Sequence, residues 1–165
     1  RYDSSTLPSP PYLLAKLGVL GWMKLRGQRS ASASAGASSF FGATRPRYHP
    51  EAGVWQIPIG VSRLRLPFVG TFVLAGPEPV GQMLRREAAS TRHLHLELHG
   101  IDLADESEDG WAEAVVARAP ELKTPLATRL ERLEKLLESR GGGQTIAAAV
   151  GEGSRLRRVF AANGG

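Results

Sequence analysis

The chain has 165 residues, enough for one domain, and 42% are hydrophobic, so it can build a core and is not a disordered chain. Lys and Arg number 21 against 16 Asp and Glu, a net charge of +5, but no basic helix or aromatic-basic stripe stands out, so the charge does not argue for nucleic acid. There is no cysteine, which excludes a disulfide framework, a thiolate metal site and a cysteine nucleophile, and leaves the compartment open.

The opening Arg1-Tyr2-Asp3-Ser4-Ser5 shows no signal-peptide pattern and does not read as a natural beginning. Asp3 is placed to cap a turn with Ser4 and Ser5. Ser9-Pro10-Pro11 predicts a helix start, with Ser as N-cap and Pro in the first turn. That helix reads from Tyr12 to about Arg26 and is rich in Leu, with Trp22 and Met23, but Lys16, Gly18, Gly21 and Lys24 interrupt it. It is too short and broken for a membrane span, which needs about 20 apolar residues. A buried or docking helix is expected, with peripheral contact on a membrane surface as the alternative. Residues 27–50 read as a mobile loop: Gln28 to Ser39 is built of small residues without periodicity, and Arg45-Pro46-Arg47-Tyr48-His49-Pro50 continues it.

Val54 to Ile59 reads as a strand, which Pro58 demotes to an edge or an end. Leu66 to Leu74, broken by Pro67 and Gly70, reads as a loop and short helix, and Pro79 to Ala89 as a helix. Residues 93–99 read as a strand, Asp102 to Asp109 as an acidic solvated loop, and Trp111 to Arg118 as a short helix ending before Pro120. Thr124-Pro125 predicts a capped helix in which Leu126, Leu130, Leu133 and Leu137 form one stripe, Glu131 precedes Lys135 by four, and Gly141-Gly142-Gly143 ends it. Thr145 to Val150 reads as a last short helix and residues 151–165 as a flexible tail, so the domain is expected over 1–150. Strand-then-helix order from residue 54 onward predicts α/β.

The segment His93-Leu94-His95-Leu96-Glu97-Leu98-His99 carries the chemistry. In a strand its three leucines fall on one face and its imidazoles and carboxylate on the other. A barrel strand has that character, with leucines on the outer helices and polar groups in the lumen, and active sites of α/β barrels lie at the carboxyl ends of the strands. His99 stands at that end. An imidazole titrates near neutrality and can donate a proton to a leaving amine, and Asp102 is close enough in sequence to hold its tautomer. The alternative is a structural His99 bonded to backbone. His95, Glu97 and His99 as a zinc site is disfavoured, because residues two apart on a strand stand about 6–7 Å apart and three consecutive positions do not easily meet one metal. His93 and His95 are expected to fill the lower barrel. Trp55 is a candidate sugar wall, with core packing beside Ile57 and Ile59 as the alternative.

Arg1 to Ser9, Trp55 to Ile59, Leu66 to Thr71 and Leu96 to Asp102, in this order and spacing, resemble the carboxyl-terminal half of the polysaccharide deacetylase family. The resemblance implies the carboxyl-terminal part of a distorted (β/α) barrel, here incomplete. It implies removal of acetyl groups from an N-acetylated sugar or polysaccharide. It also implies a divalent metal, typically zinc, held by an aspartate and two histidines, with a second aspartate as base and His99 as the late histidine that serves as acid. The family's Asp-Asp pair is absent, and its metal motif and Arg-x-Pro motif are expected ahead of Arg1. Its Asp-x-x-x-Trp motif has a loose echo in Glu51 and Trp55. The chain by itself is therefore expected to hold no metal and to be inactive. The competing reading is a non-catalytic carbohydrate-binding or membrane-surface module. A partial barrel has open edges, so self-association is expected, with apolar surface uncovered around Trp22, Met23, Phe68 and Phe72.

Overall fold

The computed structural model describes residues 2–27, 40–105, 109–111, 113–117 and 119–143. The low-complexity segment 28–39, the helix expected at 145–150 and the tail 151–165 lie outside the described residues, as do Glu106 and Glu108 and the side chain of Met23.

The architecture is mixed α/β. Strands β1 (Tyr2–Asp3), β2 (Arg47–His49) and β3 (Val54–Gln56) form a small sheet in the order β1-β3-β2, with β1 parallel and β2 antiparallel to β3. Five helices are described: α1 (Pro10–Leu25), α2 (Gly70–Val73), α3 (Glu78–Ser90), α4 (Glu113–Val116) and α5 (Leu126–Ser139). Single turns of 3-10 helix stand at Gly100–Leu103 and Pro120–Lys123.

β3 is the central strand, not an edge. It ends at Gln56, before Pro58. Beyond it the backbone still runs beside the first segment, since Ile57 N–H donates to Asp3 O (2.7 Å) and Ile59 N–H to Thr6 O (2.9 Å). β2 lies inside the stretch expected to be irregular. Its Tyr48 ring packs on Trp55, with centroids 5.3 Å apart.

α1 begins as the sequence predicts. Ser9 Oγ accepts from Tyr12 N–H (3.3 Å), and Ser9 is buried. Only one flank of the helix rests on the body, where Tyr12 meets the rings of Phe40 and Phe72 and Lys16 lies over Phe40. Leu14, Leu17, Val19, Trp22 and Leu25 are exposed. Among the described residues no helix is long and apolar enough to cross a membrane.

Residues 93–99 do not form a laddered strand. The segment is extended, but among the described residues its one bridge pairs Glu97 with Val69 in parallel. Gly60 N–H donates to His95 O (2.9 Å), Glu97 N–H to Phe68 O (3.1 Å) and Gly70 N–H to Glu97 O (2.9 Å). Pro58 and Pro67 supply no N–H to its neighbours, and Gly70 turns into α2, so no ladder propagates. The alternation survives in part. Leu94 and Leu96 pack on the core of Phe68, Val73, Leu74, Leu84, Ala88 and Leu136, while Leu98 is exposed. Phe68 is buried at the centre of this core and is not the uncovered surface that the sequence suggested.

The inner face of α5 differs from the leucine stripe. Arg129 and Leu136 are buried and Leu133 packs on the core, whereas Leu130 and Leu137 are exposed. The reason is Arg129. Its Nε donates to Thr124 O (2.8 Å), Nη1 to Ile101 O (3.0 Å) and Asp102 O (2.7 Å), and Nη2 to Ala104 O. Four carbonyls of irregular backbone thereby gain a donor, and the helix is rotated to present the arginine inward. Thr124 does not cap α5. Its hydroxyl donates to Ala75 O (3.2 Å), and Pro125 takes the N-cap position. The C-terminus follows expectation, with Gly142 N–H donating to Leu137 O (3.1 Å), and Glu131 pairs with Lys135 at 2.6 Å.

This rotation separates two neighbouring leucines. Leu136→Ala is expected to cost about 2–5 kcal/mol through the cavity it opens. Leu137→Ala is expected to change stability by about 0.5 kcal/mol or less, as an exposed substitution does. Urea unfolding of the two variants checks this, and the reverse ranking would restore the leucine stripe.

Candidate functional site

The site is the end of the extended segment and the turn that follows it. Gly100–Leu103 closes as a 3-10 turn in which Asp102 N–H donates to His99 O (2.9 Å) and His99 N–H donates to Asp102 Oδ2 (2.8 Å). The backbone and side chain of Asp102 thus both grip the backbone of His99. Asp102 is fully buried, at the start of the acidic run. Farther along that run, Asp105 N–H donates to Asp109 Oδ2 (2.7 Å).

The carboxylate is seated against Gly70. A Cβ on Gly70 would stand 2.2 Å from Asp102 Cγ and 2.3 Å and 2.6 Å from its two oxygens. No residue but glycine fits there without displacing Asp102. Behind the turn, Arg129 holds the main-chain carbonyl of Asp102. Asp102 Oδ1 is buried and has no hydrogen-bond partner among the described residues.

The His99 ring is open to solvent and stands between two carboxylates. Its Nδ1 lies 3.7 Å from Asp102 Oδ2 and its Nε2 lies 3.9 Å from Glu97 Oε1. Both separations exceed hydrogen-bond length, so the carboxylates flank the ring without bonding to it. Both candidate catalytic residues, His99 and Asp102, therefore come together. Glu97, which the sequence offered only as a metal ligand, joins them.

The other imidazoles are placed differently. His95 Nδ1 lies 3.0 Å from Pro58 O, a structural bond. His93 is at the far end of the segment, beside a basic cleft. Its partial burial, then Arg92 and Arg140, hold its pKa below the usual imidazole value. Trp55 is buried at 7% exposure in the centre of the sheet, against Tyr48. No hydrogen bond, ion pair or ring contact joins it to His99 or Asp102.

Among the described residues no group of three or more His, Asp or Glu is placed to hold a metal ion. His95, Glu97 and His99 spread along extended backbone, and His95 is turned toward Pro58. The described residues therefore do not by themselves fit the metal that the deacetylase resemblance implies. No protein-family model, curated protein or solved structure matches this chain.

The seat of Asp102 gives a sharp expectation. Gly70→Ala should expel the carboxylate, destabilise the protein by about 1–3 kcal/mol as overpacking does, and take the acceptor from the His99 amide. Amide hydrogen exchange at His99 should accelerate relative to the remainder of the chain. Unchanged protection would show that Asp102 does not order this turn.

Proposed function

We propose that this chain carries the general acid of a metal-dependent carbohydrate deacetylase, with His99 as the acid and Asp102 as the residue that positions it. The observation that supports this reading is the pairing of a solvent-open imidazole with a fully buried carboxylate that also fixes its backbone. Such a group delivers a proton in one orientation, because the carboxylate faces Nδ1 and leaves Nε2 turned outward toward Glu97. In hydrolysis of an N-acetylated sugar, water adds to the acetamide carbonyl and the C–N bond breaks. The leaving nitrogen takes its proton from His99, and acetate and a free amine result. The divalent metal of the family, zinc in this proposal, supplies hydroxide near neutral pH when bound. The reading places that metal and the aspartate base on residues beyond this sequence, as part of a larger (β/α) barrel that these elements help to build.

In the protein with those residues present, His99→Ala should lower kcat on an N-acetylated chito-oligosaccharide by about 10²–10⁴-fold with little change in KM. Asp102→Asn should lower it less, since Asp102 acts through His99. Released acetate is the measurement, and a His99→Ala enzyme with near-native turnover would overturn the assignment.

α1 supports a second reading, in which the chain contacts a membrane surface or another copy of itself. Five large apolar residues of this helix are exposed, and no acidic residue occurs between Ser4 and Pro50 while Lys16, Lys24 and Arg26 do. At about 1.5 Å per residue its length suits lying on an anionic bilayer rather than crossing it. Co-sedimentation with phosphatidylserine-containing vesicles, lost in Leu17→Ser/Leu25→Ser, would support it. Equal binding by the double variant would count against the helix, and concentration-dependent light scattering abolished by the same substitutions would identify a second copy as the occupant.

A further inference from the structure

The cleft at the other end of the extended segment has no part in the reading above. It is an open cleft of about 810 Å³, and its lining includes Arg45, Arg63, Arg65, Arg92 and His93. Its one acidic residue, Glu87, accepts from Arg63 N–H at 2.7 Å. Extended chain rises about 3.3 Å per residue, so the six steps from His93 to His99 separate the two sites by about 20 Å.

The arginine lining is built at a cost. Arg65 has φ +62°, and among the described residues it is the one non-glycine in the left-handed region. An L side chain there is strained, and glycine is the residue that normally relieves such a position. The turn is nonetheless fixed from several sides. Arg65 N–H donates to Ser62 O (2.9 Å), Ser62 N–H to Leu66 O (2.8 Å) and Leu66 N–H to Ser62 Oγ (3.1 Å). The hydroxyl of buried Ser9, which also caps α1, donates to Arg65 O. A strained residue held this firmly in the lining of a cleft is where a functional role is sought.

Positive charge outweighs negative in the cleft, with four arginines against the single carboxylate of Glu87. The C-terminal end of α3 forms part of the lining and would bring negative partial charge. Arg140 covers it, with Nη1 donating to Ala88 O (2.7 Å) and Thr91 O (2.6 Å). Partial burial first, and then the charges of Arg92 and Arg140, lower the pKa of His93.

We propose that this cleft binds an oxyanion ester, a phosphate or sulfate group carried on a sugar-sized body. Guanidinium groups match the geometry of phosphate and sulfate and can engage two oxygens at once. The volume exceeds what a bare oxyanion fills and falls in the range of small-molecule sites. This inference does not rest on the deacetylase reading.

Titration calorimetry with glucose 6-phosphate, inorganic phosphate, inorganic sulfate and glucose tests it. Saturable binding of the ester is expected, with glucose silent. Ester tighter than inorganic phosphate identifies a carried group, whereas equal affinities identify the free oxyanion as the ligand of the same site. Arg65→Gly should weaken binding at least tenfold while leaving Tm unchanged or raised, because the left-handed strain is relieved. Exposed Arg92→Gln should weaken it several-fold with Tm unchanged. Absence of binding at millimolar ligand, binding of glucose as tight as the ester, or full affinity in both variants would overturn the proposal.

Discussion

The guanidinium of Arg129 is the interaction on which most of this structure depends. Little of the chain lies in ladders, and backbone outside ladders leaves carbonyls that must find donors when buried. Arg129 serves four of them, within and just after the turn at Gly100–Leu103 and at the entry to α5. Three other arginines do the same work elsewhere. Arg85 donates to Val73 O, Arg132 to Leu74 O, and Arg140 to the last carbonyls of α3. These side chains substitute for missing strand pairing. Part of the basic excess of the sequence is therefore structural rather than a signal for an anionic partner.

The candidate site inherits its order from that arrangement. A 3-10 turn alone is weak, with strained hydrogen bonds and a single turn's worth of them. Here Asp102 is pressed between the backbone of Gly70 and the guanidinium that holds its own carbonyl. The turn cannot shift without unseating one or the other. His99 stands on a loop but is held as if on a regular element, which is what a group that must deliver a proton in one direction requires.

The sequence was legible where local chemistry decides. The Ser9 cap, the stop at Pro58, the short helix after Pro67, the glycine end of α5 and the nearness of His99 to Asp102 all follow from residue types at fixed offsets. It was not legible where distant groups decide. Alternation in residues 93–99 predicted a ladder, but the partners that would extend it contain prolines. The leucine stripe of α5 predicted its inner face, but an arginine with four carbonyls to satisfy outranks two leucines. Arginine is rarely fully buried, so periodicity alone gives no reason to place it inside. Trp55, for which the sequence offered a sugar wall and core packing alike, is buried in the sheet against Tyr48.

Both proposed sites hang on one stretch of backbone, and that stretch is anchored by close approach rather than by pairing. Gly60 meets it near the basic end, where a Cβ would stand 2.9 Å from His95 O, and Gly70 meets it near the acidic end, under Asp102. Each glycine also donates its N–H across the gap, to His95 O and to Glu97 O. A side chain at either position would lift the segment from the body and move a histidine out of its surroundings. The same extended run thereby presents one imidazole to arginines and another to carboxylates, with about 20 Å between them. Opposite electrostatic settings on a single segment require that its two ends be fixed independently, and two glycine contacts do this where one continuous ladder would have tied both ends to the same neighbour.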